Sequence, residues 1–167
     1  MRSQRGFSLI ELLIVVVIIG IIAAIAIPNL LASRRAANEA GAISVMRTIH
    51  SAQMTYASTY GNGDYTGNMS GVNGLLTLAG VNLVDSVVGT GQKDGYTLAT
   101  YSLLHTDVEP ATFIVGAGPT VQTGIGQTGT RSFLAATDGV IYQDAIGGSM
   151  NWSRTSPIIV IGGTPLQ

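Results

Sequence analysis

The sequence predicts an α+β protein: a long N-terminal helix with a transmembrane first half, packed through its second half on an antiparallel β-sheet. Three observations carry this. Between residues 9 and 27 only Glu11 and Gly20 fall outside the apolar set, and no charge occurs from residue 12 to residue 33. Beyond Pro28 the apolar residues thin to a single stripe at steps of three and four. From residue 61 onward the chain breaks into short β-rich runs separated by glycine-rich connections.

The first run is long enough to cross a hydrocarbon core of ~30 Å as a helix. Its Ile and Val content favours strand in water. In lipid an isolated strand leaves its backbone groups unpaired, so helix prevails. Arg2 and Arg5 precede the run and Arg34 and Arg35 follow it, so the basic flanks alone do not orient it. A secretory signal would have a shorter apolar core of ~7–15 residues and a small-residue cleavage site after it. Here Pro28-Asn29-Leu30-Leu31 and a helical pattern follow, so the segment is expected to be kept.

In the next stretch Ala42, Val45, Met46, Ile49, Ala52, Tyr56 and Tyr60 form one helical stripe. Glu39, Arg47, Ser51, Thr55 and Ser58 lie off it. Gly61 stands where a left-handed cap would end the helix, and Asn62-Gly63 signals a turn. Gly20 and Pro28 are the expected weak points of the helix, with a kink at Pro28. Residues 74–80 read as a short helix; 96–103, 111–116, 131–136, 140–143 and 157–161 read as strands. Asp138-Gly139 between two of these runs is a hairpin signal. The expected organisation is a leader over 1–6, a membrane-crossing helix over 7–33, its amphipathic continuation over 34–60, and a β-rich head over 61–167.

Composition excludes several functions. Charged residues are 10% of the chain and the formal net charge is −1, with no basic cluster to neutralise nucleic-acid phosphates. There is no Cys, hence no disulfide and no thiolate site. No P-loop, dinucleotide fingerprint or nucleophile elbow is present, so no enzyme activity and no cofactor are expected. His50 has no metal-ligating neighbour one turn on, and no metal site is expected. Asp107 and Glu109 read as a solvated loop or, less simply, as a shared cation site. Arg34 and Arg35 read as snorkelling cations at the outer membrane boundary. Asn68-Met69-Ser70 and Asn151-Trp152-Ser153 fit the glycosylation sequon.

Gly6-Phe7-Ser8-Leu9-Ile10-Glu11, behind a short basic leader and ahead of an apolar run through Gly20 to Pro28, resembles the N-terminus of type IV pilins and type II secretion pseudopilins. The resemblance implies a pilin-like fold and a structural role. A prepilin peptidase would cleave after Gly6 on the cytoplasmic side and N-methylate Phe7. The subunit would wait in the lipid of the bacterial inner membrane, head outside the cytoplasm, until an assembly platform adds it to a helical filament, on the cell surface or in the periplasm. Glu11 would direct assembly, and helix would melt between Gly20 and Pro28 in the filament. A type IV pilus subunit is the first reading; a pseudopilin or minor pilin is the alternative. A membrane-anchored periplasmic binding domain would need a polar constellation in the head, and the sequence displays none.

Overall fold

The computed structural model describes residues 6–67, 73–146, 151–152 and 160–166. Residues up to Arg34 form one unit and those from Arg35 onward a second. The leader before Gly6, the sequon at 68–70 and most of the expected strand at 157–161 lie outside the described residues, as does Ser153 of the other sequon.

The first unit is helical. Helix α1 spans Leu9–Thr59 and passes through Pro28 without interruption of its assignment. Proline has no N–H for the Ala24 carbonyl one turn back. Beside it, Asn29 Nδ2 donates to the Ile25 carbonyl at 3.1 Å, adding a side-chain bond at the turn the proline weakens. No residue from 9 to 30 is buried. The large apolar side chains there are between 49% and 80% exposed. A surface this uniformly apolar has no inward face, which separates it from an ordinary core helix.

The second unit uses the rest of α1 as one layer. Ala42, Val45, Met46, Ile49 and Ala52 are buried, as the stripe predicts. The stripe ends earlier than expected, because Tyr60 is 60% exposed. Two polar residues join it: Glu39 and Gln53 are buried. For Glu39 this overturns the sequence reading, and its partners are described below. Gln53 Nε2 donates to the Thr66 carbonyl at 2.6 Å, and its Oε1 accepts from the Thr66 N–H at 3.0 Å. This two-way bond satisfies a buried amide and sets the path of the chain leaving the helix.

That exit also corrects the expected cap. The left-handed residues are Asn62 and Gly63, not Gly61. Gly61 is needed for space: a Cβ there would sit 2.0 Å from the Asp64 carbonyl oxygen. Helix α2 (Asn73–Gly80) then packs Leu75 and Leu78 inward. It approaches the sheet so closely that a Cβ on Gly74 would lie 2.2 Å from Thr100 Oγ1. A single-turn helix not foreseen in the sequence, α3 (Ser86–Gly89), is capped by Asp85, whose side chain accepts from the Val88 N–H.

The sheet is an antiparallel meander of β1 (Gln92–Lys93), β2 (Tyr96–Leu103), β3 (Thr112–Pro119), β4 (Arg131–Ala136) and β5 (Ile141–Ala145), closed by β8 (Thr164–Pro165) beside β5. Strands β6 (Asn151–Trp152) and β7 (Val160–Ile161) pair separately. Tyr96 opposes Pro119, Ile114 opposes Ala136, and Leu134 opposes Tyr142. The Asp138-Gly139 turn joins β4 and β5 as the hairpin signal requires. Tyr96, Leu98, Phe113, Val115, Phe133 and Ala135 alternate onto the face that shares one core with the α1 stripe.

With no disulfide, this helix-on-sheet core must hold the head together. Ile49 is fully buried in it. Ile49→Asp places an unpaired carboxylate there and should cost at least about 4 kcal/mol. Denaturant unfolding of a fragment covering residues 35–167 measures it; an unchanged midpoint contradicts the packing.

Candidate assembly site

The sequence nominates Gly6, Phe7, Glu11, Gly20 and Pro28. Gly6, Phe7 and Ser8 precede the helix, and Phe7 is 88% exposed. Ser8 stands at the N-cap of α1, and the Ser8 N–H donates to Glu11 Oε2 at 2.9 Å. This is one arm of a capping box, in which a Glu at the third helical position returns to the N-cap amide. It satisfies one of the donors that every helix start leaves open. It also sets a carboxylate at the positive end of the helix dipole. In the uncut chain the Phe7 nitrogen is a peptide amide, so the neighbouring amide is the donor at hand. The Ser-x-x-Glu spacing is the signal by which the sequence announces this cap, although the sequence reading weighs Glu11 for its charge alone.

Gly20 and Pro28 sit within α1. Nothing lies within 4 Å of a Cβ built on Gly20. A helical glycine costs about 1 kcal/mol relative to alanine, and this unit returns nothing for it.

A dense polar cluster lies in the second unit, around Glu39. Its Oε1 accepts from the Thr130 N–H at 2.6 Å and from Thr130 Oγ1 at 2.7 Å. Its Oε2 accepts from Arg131 Nε at 2.8 Å and Nη2 at 2.7 Å. Arg131 also donates to Gln143 and lies over the Phe133 ring. Burial alone would raise the Glu39 pKa, but the Thr130 bonds and the Arg131 charge outweigh it and hold the carboxyl below its ordinary value. Tyr96 donates to the Arg131 carbonyl at 2.8 Å, and burial raises its hydroxyl pKa strongly. Glu39 and Arg131 are distant in sequence, and no motif announces such a pair.

The remaining candidates resolve simply. Arg35 Nη1 donates to Gln127 Oε1 at 2.9 Å, so it is engaged by the head and is not a free snorkelling cation; Arg34 is exposed. His50 Nε2 lies 3.3 Å from the Thr137 carbonyl oxygen, with its ring 5.2 Å from Phe113, a packing position at the β4–β5 turn. Asp107 and Glu109 are exposed on the β2–β3 loop. Among the described residues no group of three or more His, Asp or Glu could hold a metal.

The profile of the prokaryotic N-terminal methylation motif matches residues 1–27, a span that includes Gly6, Phe7, Glu11 and Gly20 and stops one residue short of Pro28. The type IV wide pilus major component PilA4 of Thermus thermophilus is 37% identical over 103 residues, 61% of this chain and 77% of that protein. The chain belongs to the type IV pilin and type II secretion pseudopilin family. The type II secretion system core protein G of Pectobacterium carotovorum is 34% identical over 74 residues, 44% of this pilin-family chain and 46% of that protein. The type IV major pilin protein PilA of Myxococcus xanthus is 46% identical over 55 residues, 33% of this chain and 25% of its own length. The chain thus spans about half or less of the latter two. No solved structure matches it. The long apolar helix and the antiparallel sheet are the pilin-like α+β arrangement, and the protein is a structural subunit of the pilin or pseudopilin kind.

The depressed Glu39 pKa fixes the sign of a pH effect. Its contribution to stability is complete above the unfolded carboxyl pKa and is lost as pH falls through the lower, folded one. Asp64 and Asp85 are also held low, by the His105 amide and by Lys93 respectively, and act in the same direction. Glu39→Gln should destabilise the head at neutral pH by about 1–3 kcal/mol and flatten its acid-side pH dependence. Unfolding midpoints of both proteins between about pH 7 and about pH 3 check it; parallel curves contradict the clamp.

Proposed function

We propose that this pilin-family protein is the building unit of a type IV pilus-like filament, assembled from the bacterial inner membrane through residues 7–33. The observation that supports this best is the exposed apolar surface of α1 between Leu9 and Leu30, with Glu11 its one charge. Lipid covers such a surface before assembly, and other copies of the same helix cover it afterwards. Residues 1–6 act as the leader, 34–60 continue the helix into the head, and 61–167 complete the head. The longer alignment with a pilus component favours a pilus; the several core protein G relatives support a pseudopilin as the second reading.

Prepilin peptidase cuts after Gly6, on the cytoplasmic side, and methylates the Phe7 amine that cleavage creates. A glycine before the scissile bond lets an enzyme approach the backbone closely. Cleavage also removes Arg2 and Arg5, charges that would be costly in a filament core. The methylated amine remains a cation. Glu11 can meet it one turn away, or meet that of an incoming subunit, and so set axial register. A carboxylate in hydrocarbon is expensive without a partner, which argues against an idle one. Gly20 and Pro28 let α1 lose helix locally once neighbouring subunits shield its backbone.

Mass spectrometry of the membrane-bound protein should find a mature chain beginning with N-methylated Phe7; a mature N-terminus beyond residue 30 contradicts the filament reading. Glu11→Val should insert into the membrane at least as well as the natural chain while filaments become rare. Electron microscopy of shed filaments decides this, and normal number and length removes Glu11 from assembly.

A further inference from the structure

Two surface features of the second unit fit each other but not themselves. The first is an open groove of about 740 Å³ along the outward side of α1, lined by Ala40, Ser44, Arg47, Ser51 and Thr55 with Leu83 at its edge. Small side chains leave its walls low. Arg47 is the one charged residue lining it and is exposed. Among the described residues its guanidinium takes part in none of the ion pairs, which join Lys93 to Asp85, His105 to Asp64 and Arg131 to Glu39.

The second feature is the β2–β3 loop over residues 104–110, every residue of which is exposed. The loop is pinned at its base and at its tip. At its base the His105 N–H donates to Asp64 Oδ1 at 2.7 Å, and His105 Nδ1 lies 2.9 Å from the same oxygen. At its tip the Thr106 N–H donates to the Glu109 carbonyl at 2.9 Å, and the Glu109 N–H donates to Thr106 Oγ1 at 3.1 Å. This staple presents Asp107, Val108 and Glu109 together. Val108 is 89% exposed, more than any other large apolar side chain among the described residues. Neither acid takes part in an ion pair among those residues. A lone exposed valine needs no explanation; an ordered one held between two unpaired acids is a shaped, charged knob.

We propose that the Asp107-Val108-Glu109 tip of one subunit docks into the Arg47 groove of a second copy. The acids flank the guanidinium, and Val108 lies over Ser51, one helical turn from Arg47. Charge complementarity selects the occupant: a negative knob and a positive socket occur on the same chain. The pre-formed loop loses little freedom on docking, which lowers the cost of association. Knob and socket share no residue, so each subunit can use both at once. Such a head-to-tail contact propagates as an open helix unless the rotation happens to close a ring. This inference rests on the filament reading and adds to it a contact between heads, separate from the packing of the N-terminal helices.

The natural chain contains no Cys, so engineered thiols report without background. Val108→Cys combined with Ser51→Cys should give a ladder of disulfide-linked oligomers when shed filaments are oxidised, and either substitution alone should give none. In parallel, Arg47→Glu should lower filament yield by at least about tenfold. Adding Asp107→Lys and Glu109→Lys to Arg47→Glu should restore it, an outcome that a fold defect does not produce. Filaments in normal number without a ladder overturn the contact and leave the filament reading standing. So does normal yield from Arg47→Glu, or a cross-link from the thiol introduced at position 108 to a different protein. If the double-cysteine chain does not assemble, the charge exchange decides, and failure of rescue overturns the contact. Absence of filaments from the natural chain overturns both readings.

Discussion

From Leu9 to Leu30 the helix presents apolar side chains in every direction, and that surface constrains the surroundings the protein can occupy. Water does not tolerate such a cylinder, since each exposed Ile or Val forgoes about 1.5–3 kcal/mol of burial. Nor can the unit that carries it supply a cover, because it is a single helix. Lipid or other helices of the same kind supply the cover in the proposed assembly. Under the proposed assembly the subunit exchanges one apolar environment for another. The methylation motif matched over residues 1–27 and the family of the chain agree with that reading.

The head solves a separate problem. It has no disulfide and few charges, so its stability comes from one face of a helix laid on one face of a meander. Hydrophobic packing of this kind is only weakly directional. The Glu39 carboxylate adds direction: it receives two bonds from Thr130 and two from Arg131, across from the strand that carries Phe133. Gln53 does the same at the other end of the buried stripe through Thr66. A buried polar pair of this sort adds little net free energy over a good apolar fit, but an unsatisfied one is costly, so register errors of the helix on the sheet are penalised.

The two units also differ in how they would meet their neighbours. Apolar helices associate with little angular preference beyond the fit of their side chains. Heads that engage through a charged knob and socket carry an orientation. A filament built on both would combine a strong, sliding core with a directional outer contact.

Much of this was legible in the sequence, because the relevant signals are local. Period and uninterrupted hydropathy mark the long helix, β-forming residues mark β2, and Asp138-Gly139 marks the β4–β5 hairpin, since each depends on residues close in the chain. The Gly6-Phe7 junction and the isolated Glu11 are likewise contiguous. What only the tertiary structure decided depends on residues far apart. Glu39 looks like a solvated charge until Arg131 is brought beside it, and Gly61 looks like a left-handed cap until the Asp64 carbonyl closes over it. Arg35 looks like a lipid anchor until Gln127 arrives. Each reversal has one physical cause. Whether a polar or small residue belongs inside is set by the partner that folding delivers to it, and a sequence read along its own length does not contain that distance.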